Sequence, residues 1–128
     1  MKKEIINTEN APGAIGPYSQ AVKTGELIFT SGQIPVVPET GEIADGGVEA
    51  QTRQVLTNLE AVLAAAGSSM DKVVKTTVFI TDMSDFSAVN EQYARFFPTA
   101  PPARSCVEVS KLPKAVRVEI EAVAIAHP

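Results

Sequence analysis

"VRVEIEAVAIA", residues 116–126, alternates so steadily that a strand and its two faces can be read from it directly. Successive side chains of an extended chain point to opposite sides of a sheet. Val116, Val118, Ile120 and Ala122 therefore share one face, and Arg117, Glu119, Glu121, Val123 and Ile125 share the other. The first face is apolar throughout and reads as core. The second starts charged and finishes apolar, a mixture suited to packing against another subunit.

Working back from this strand, β-branched or alternating segments recur at "KEIIN" (3–7), "YSQAVKTG" (18–25), "ELIFTSGQI" (26–34), "VVKTTVFIT" (73–81) and "ARSCVEV" (103–109). These are strand expectations. Thr24-Gly25 suits a hairpin loop between the second and third. "PVVPETGEI" (35–43) places Pro38 and Gly41 for a tight turn in an exposed hairpin arm. A helix is expected from about 47 to 66, because Val48, Val55, Leu56, Leu59, Val62, Leu63 and Ala66 follow a 3.6-residue repeat and Gly67 can stop it. A second, from about 84 to 97, is capped by Asp82 or Ser84, turns Phe86, Val89, Tyr93, Phe96 and Phe97 inward, and ends at Pro98. The order β-β-β-α-β-α-β-β predicts an α+β domain in which two helices cover one face of a single sheet.

The composition bounds the function. A chain of 128 residues reads as one domain spanning 1–128, large enough to bury about two-thirds of the surface exposed on unfolding. Its net charge of −4 and dispersed cations argue against general nucleic-acid affinity. No apolar run approaches the ~18 residues of a membrane span, so a cytoplasmic protein without membrane contact is the expectation. The single cysteine, Cys106, and the single histidine, His127, make neither a disulfide nor a familiar metal site.

"PPARSCVEVSKLP" (101–113) sets a guanidinium and a thiol on one side of a strand. Arg104, Cys106 and Glu108 share that side, which reads as a site, whereas Val107 and Val109 on the other side are assigned to the helix-covered core. Arg104 suits either an ion pair to a neighbouring strand or a bidentate carboxylate clamp. Cys106 reads as a pocket wall, since lone cysteines are more often small buried hydrophobes than nucleophiles. Glu119 and Glu121 could share acid-base work, although ion-paired or solvated strand glutamates are commoner. Tyr18 is displayed by the loop after Gly16-Pro17, and Ser31-Gly32 ends a strand where backbone can approach a ligand closely. Asn90 borders the apolar stripe of the second helix.

Taken together, "NAPGAIGPYSQAV" (10–22), "FTSGQIPVVPETGEI" (29–43), the run from Gln51 to Phe97 and "PARSCVEVSKLPKAVRVEIEAVAI" (102–125) resemble the RidA (YjgF/L-PSP) family of imine deaminases. The resemblance covers nearly the whole chain. It implies a chorismate-mutase-like α+β fold, a homotrimer with pockets at the subunit interfaces, and conversion of 2-iminopropanoate and 2-iminobutanoate to 2-oxo acids and ammonia. It implies no metal and no organic cofactor. Carried over by position, Arg104 becomes the carboxylate-binding arginine and Glu119 the water-orienting glutamate. Tyr18, Ser31, Gly32, Asn90 and Cys106 become substrate-binding positions. The "PTAPP" segment (98–102) is shorter and richer in proline than in many members, which bears on the pocket rim. Two other classes fit parts of the pattern: a 2-oxo acid binding or sensor protein, and an RNA-directed ribonuclease or translation inhibitor. The acidic charge and absence of a basic stripe count against the last.

Overall fold

The computed structural model describes residues 2–126, so His127 lies outside the described residues. Its strands are β1 (Lys3–Ile6), β2 (Ala21–Thr24), β3 (Leu27–Thr30), β4 (Val73–Ile80), β5 (Ala103–Glu108) and β6 (Val118–Ile125). They form one six-stranded sheet in the order β1-β2-β3-β6-β4-β5. Only the β4–β5 pairing is parallel; the other neighbours are antiparallel. A parallel neighbour requires a crossover, and the helix α2 (Phe86–Phe96) supplies it. The longer helix α1 (Gly47–Ala65) packs beside α2 and against β6.

The apolar periodicity of α1 becomes burial: Val55, Leu56, Leu59, Val62 and Leu63 are inaccessible to solvent. Complete burial of such a side chain contributes roughly 1.5–3 kcal/mol, so this stripe is a principal anchor of the helix layer. Gly67, at φ +78°, ends the helix as expected. Its N–H donates to the Ala64 carbonyl and that of Ser68 to Leu63, the paired bonds of a Schellman stop. At the start of the α2 region, Asp82 accepts from the Ser84 N–H in a short 3-10 turn that precedes the helix proper.

Register fixes the sidedness of the whole sheet. In β6, Val118, Ile120, Ala122 and Ala124 are buried beneath the helices. Ile28 of β3 and Val78 and Ile80 of β4, which are aligned with that row or alternate with its partners, complete the core. Glu119, Glu121, Val123 and Ile125 face the other way, beside Phe79, Thr77, Lys75 and Leu27. No described helix covers that face. Ile5, Leu27, Phe29, Val107 and Ile125 are each more than two-fifths exposed there, which bears out the mixed open face expected from 116–126.

Three expectations need correction. Val107 lies on this open face at 42% exposure, and Val109 is only half-buried and outside the core cluster. Alternation distinguishes the two sides of β5 but not which of them the helices cover, because both faces of the sheet carry apolar residues. The third strand ends at Thr30, well short of residue 34, and only a Gln33–Ile120 bridge continues the pairing. The 35–43 segment has a single Val36–Ile43 bridge; its tip is exposed, but Pro35 and Val36 at its base are buried.

Candidate functional site

The predicted site residues fall into two groups on opposite faces of the sheet. Arg104, Cys106 and Asn90 belong to the helix-covered side. Thr76 and Val78, the β4 partners of Arg104 and Cys106, are both fully buried beneath the helices. The Arg104 guanidinium donates to Asn90 Oδ1 at 2.6 Å across the gap to α2. It also lies over the Phe86 and Tyr93 rings, with Cζ 5.5 and 4.9 Å from their centroids. Among the described residues no carboxylate pairs with it. Cys106 packs against the core; burial pushes its thiol pKa up, and the Arg104 charge opposes that shift. The thiol is thus protonated at neutral pH and suits a wall better than a nucleophile.

The second group, Tyr18, Ser31, Gly32 and Glu119, lines a cavity on the open side together with Ile15, Ile34, Pro113 and Glu121. Close approach explains Gly32: a Cβ built there would overlap the Glu119 carboxylate. Ser31 is fixed on both sides, its N–H donating to the Gln20 carbonyl at 2.9 Å and its hydroxyl to Ser19 O at 2.5 Å. The Tyr18 hydroxyl accepts from the Ile15 N–H, curling the loop over its own ring. Burial, and secondarily the adjacent Glu121, push the Glu119 carboxyl pKa above its ordinary value. A carboxyl moved toward neutrality is better able to exchange a proton with a substrate near pH 7.

Two buried amides set the walls of this second group, and sequence reasoning missed both. Gln20 accepts from the Thr8 N–H and donates to the Thr8 and Pro12 carbonyls, tying down the chain that leads into Tyr18. Asn58 donates to the Ile34 and Val36 carbonyls from within α1. A polar residue at an apolar helix position was the available signal, because a buried amide must find partners. The periodicity of α2 likewise marks Tyr93 and Phe86 only as core.

Arg104 and Glu119 therefore do not converge within one protomer: strand β4 and the thickness of the sheet lie between them. A pocket that uses both requires two copies of the chain. Among the described residues no group of three or more His, Cys, Asp or Glu side chains is arranged to hold a metal ion, and no helix is long and apolar enough to cross a membrane.

This split arrangement sits in a recognisable relative of known proteins. A family model described as "Endoribonuclease L-PSP" matches residues 8–126. The chain belongs to this family. A RutC family protein of Pyrococcus horikoshii is 57% identical over 95% of this chain and 97% of its own. TdcF of Escherichia coli, provisionally named a reactive intermediate deaminase, is 53% identical over 96% of this chain and 97% of its own. The structure of TdcF with bound serine superposes with a TM-score of 0.93, covering 97% of this chain and 99% of that one at 52% identity. A Rid family protein of Yersinia pestis, described as of unknown function, gives 0.94 at 53% identity over 98% and 100%. The L-PSP chain is thus an α+β protein of the Rid/YjgF type, with deaminase-named homologues.

Proposed function

We propose that this protein is a hydrolytic deaminase of small 2-imino acids such as 2-iminopropanoate and 2-iminobutanoate, acting in the cytoplasm as a homotrimer. Its sites lie between subunits, each taking Arg104, Asn90 and Cys106 from one copy and Glu119, Gly32, Ser31 and Tyr18 from the next. The observation that carries the reading is the pair of incomplete half-sites: a guanidinium held only by neutral groups, and a carboxyl of raised pKa beside a cavity. Each has what the other lacks. The serine bound to TdcF adds support, since that relative takes up a small carboxylate with a nitrogen on its 2-carbon.

Arg104 would hold the substrate carboxylate through its planar donor fork. The imine carbon then lies beside a water that Glu119 orients. As the water oxygen bonds to C2, a proton passes through Glu119 to the nitrogen; the resulting carbinolamine collapses to the 2-oxo acid and releases ammonia. Substrate and water supply every atom of the products. Positioning accounts for most of the rate, with proton transfer adding the rest.

The test is ammonia release from freshly generated 2-iminobutanoate, with wild type compared against the uncatalysed rate. Acceleration that disappears in Arg104→Ala supports the reading. Tight binding of 2-oxobutanoate with no acceleration would replace it with a carboxylate-binding protein. Metal-independent RNA cleavage by pure protein that is lost with the same substitution would replace it with the nuclease reading.

A further inference from the structure

Two of the four arginines in the described chain, Arg104 and Arg117, are held by different means. Arg117 is paired with the Asp85 carboxylate through two contacts, at 2.7 and 3.2 Å, so its fork is occupied and its charge is offset. Arg104 has no such partner. Its guanidinium lies over two aromatic rings, and the neutral Asn90 oxygen takes one N–H.

We propose that Phe86 and Tyr93 form a neutral aromatic seat that orients Arg104 while leaving its remaining in-plane donors free, which makes Tyr93 a positioning residue for carboxylate capture. This rests on the reading of Arg104 as the substrate's carboxylate clamp. A ring attracts a cation through its face, whereas the five guanidinium donors radiate in the plane of the group. Contact with the ring faces therefore holds the cation in place without using the fork. A carboxylate partner would do the opposite, because it binds the fork edge and offsets the charge that a substrate anion must meet.

Tyr93 is the better fixed of the two rings. It is 7% exposed, its hydroxyl shares a 2.7 Å hydrogen bond with the fully buried Thr76, and its ring lies 4.7 Å from that of Phe97. Thr76 is also the β4 residue in register with Arg104. One strand pair thus sets both the arginine and the anchor of the ring beneath it.

The experiment compares steady-state kinetics on 2-iminobutanoate, and calorimetric binding of 2-oxobutanoate, across Tyr93→Leu, Phe86→Leu and the double variant Tyr93→Phe/Thr76→Val. The double variant keeps the ring and removes both buried hydroxyls, so no unpaired polar group remains. Tyr93→Leu should raise KM and weaken 2-oxobutanoate binding by about tenfold, with kcat changed by less than about twofold. The ring-retaining double variant, which loses only the hydroxyl anchor, should recover most of both losses, and Phe86→Leu should shift KM in the same direction by less. A folded Tyr93→Leu with wild-type KM and binding overturns the seat, as does a double variant that is as impaired as Tyr93→Leu. If Tyr93→Leu does not fold, an unchanged KM and affinity in Phe86→Leu overturns it. Wild type that binds 2-oxobutanoate without turnover ends the deaminase reading alone, and the seat is then tested by affinity. Wild type that does neither ends both.

Discussion

The two faces of the sheet carry the same kinds of side chain but manage them in opposite ways. Beneath the helices, Arg104 is half-buried, and the groups that hold it are neutral. On the open face, which also exposes Leu27, Phe29 and Ile125 farther along, Glu119 lies beside another acid, Glu121, with its pKa raised. A cation without an anion and an anion without a cation, on opposite sides of one sheet, are unexplained in a lone protomer and complementary between two. Each half is held ready by its own scaffold, α2 for Arg104 and the Gln20- and Asn58-pinned loops for the other.

The strongest way to break this comparison is to remove the cation. Arg104→Ala should lower kcat/KM for 2-iminobutanoate by about 100-fold or more, since the substrate carboxylate loses its charged partner. Retained turnover would dissolve the assigned difference between the faces. Removing the acid should act elsewhere in the kinetics: Glu119→Gln lowers kcat by about 100-fold while binding of 2-oxobutanoate, read by calorimetry, changes little. Loss of binding with unchanged kcat would invert the two roles. Gly32→Ala forces the Glu119 carboxylate from the place where the added Cβ would overlap it. A displacement on the order of 1 Å should cost about tenfold in kcat, and a wild-type rate would show that the close approach is incidental.

The smallest effect is on stability and follows from the raised Glu119 pKa. Because the folded protomer favours the protonated carboxyl, it binds more protons than the unfolded chain between the ordinary value of 4.5 and the raised one. Stability contributed by the neutral form is therefore present below that window and lost as pH rises through it. Thermal melting of dilute, dissociated protein should show Glu119→Gln more stable than wild type at pH 7, with the advantage gone near pH 4. In the assembled protein a facing Arg104 should shrink the gain. A larger gain on assembly would contradict the proposed facing of the two half-sites.

Much of the fold was legible because periodicity reports burial. The 3.6-residue stripe through Val55, Leu59 and Leu63 and the two-residue alternation of β6 each specify a buried face independently of their neighbours. The sidedness of β5 was not legible. It depends on which face α2 covers, and the valines at 107 and 109 fit an interface as well as a core. The mixed face of β6 reads as suited to packing against another subunit, yet only the register through β4 reveals that Arg104 and Glu119 point apart. Gly32 was found by its place at a strand end, but the reason for it, a carboxylate folded against its α-carbon, is tertiary. Gln20 and Asn58 were missed because a polar residue in an apolar context signals a partner without saying which one.

The central claim is that one pocket is built from two copies, and mixing two inactive variants tests it most directly. Arg104→Ala and Glu119→Gln are each purified, shown to be folded and nearly inactive, then denatured together in equal amounts and refolded. If each pocket draws its arginine and its glutamate from different copies, about a quarter of the pockets in randomly mixed assemblies regain both native residues. Deaminase activity should rise to about that fraction of wild type, whereas either variant refolded alone should stay inactive. Mixed assemblies that remain as inactive as their parents would contradict the account.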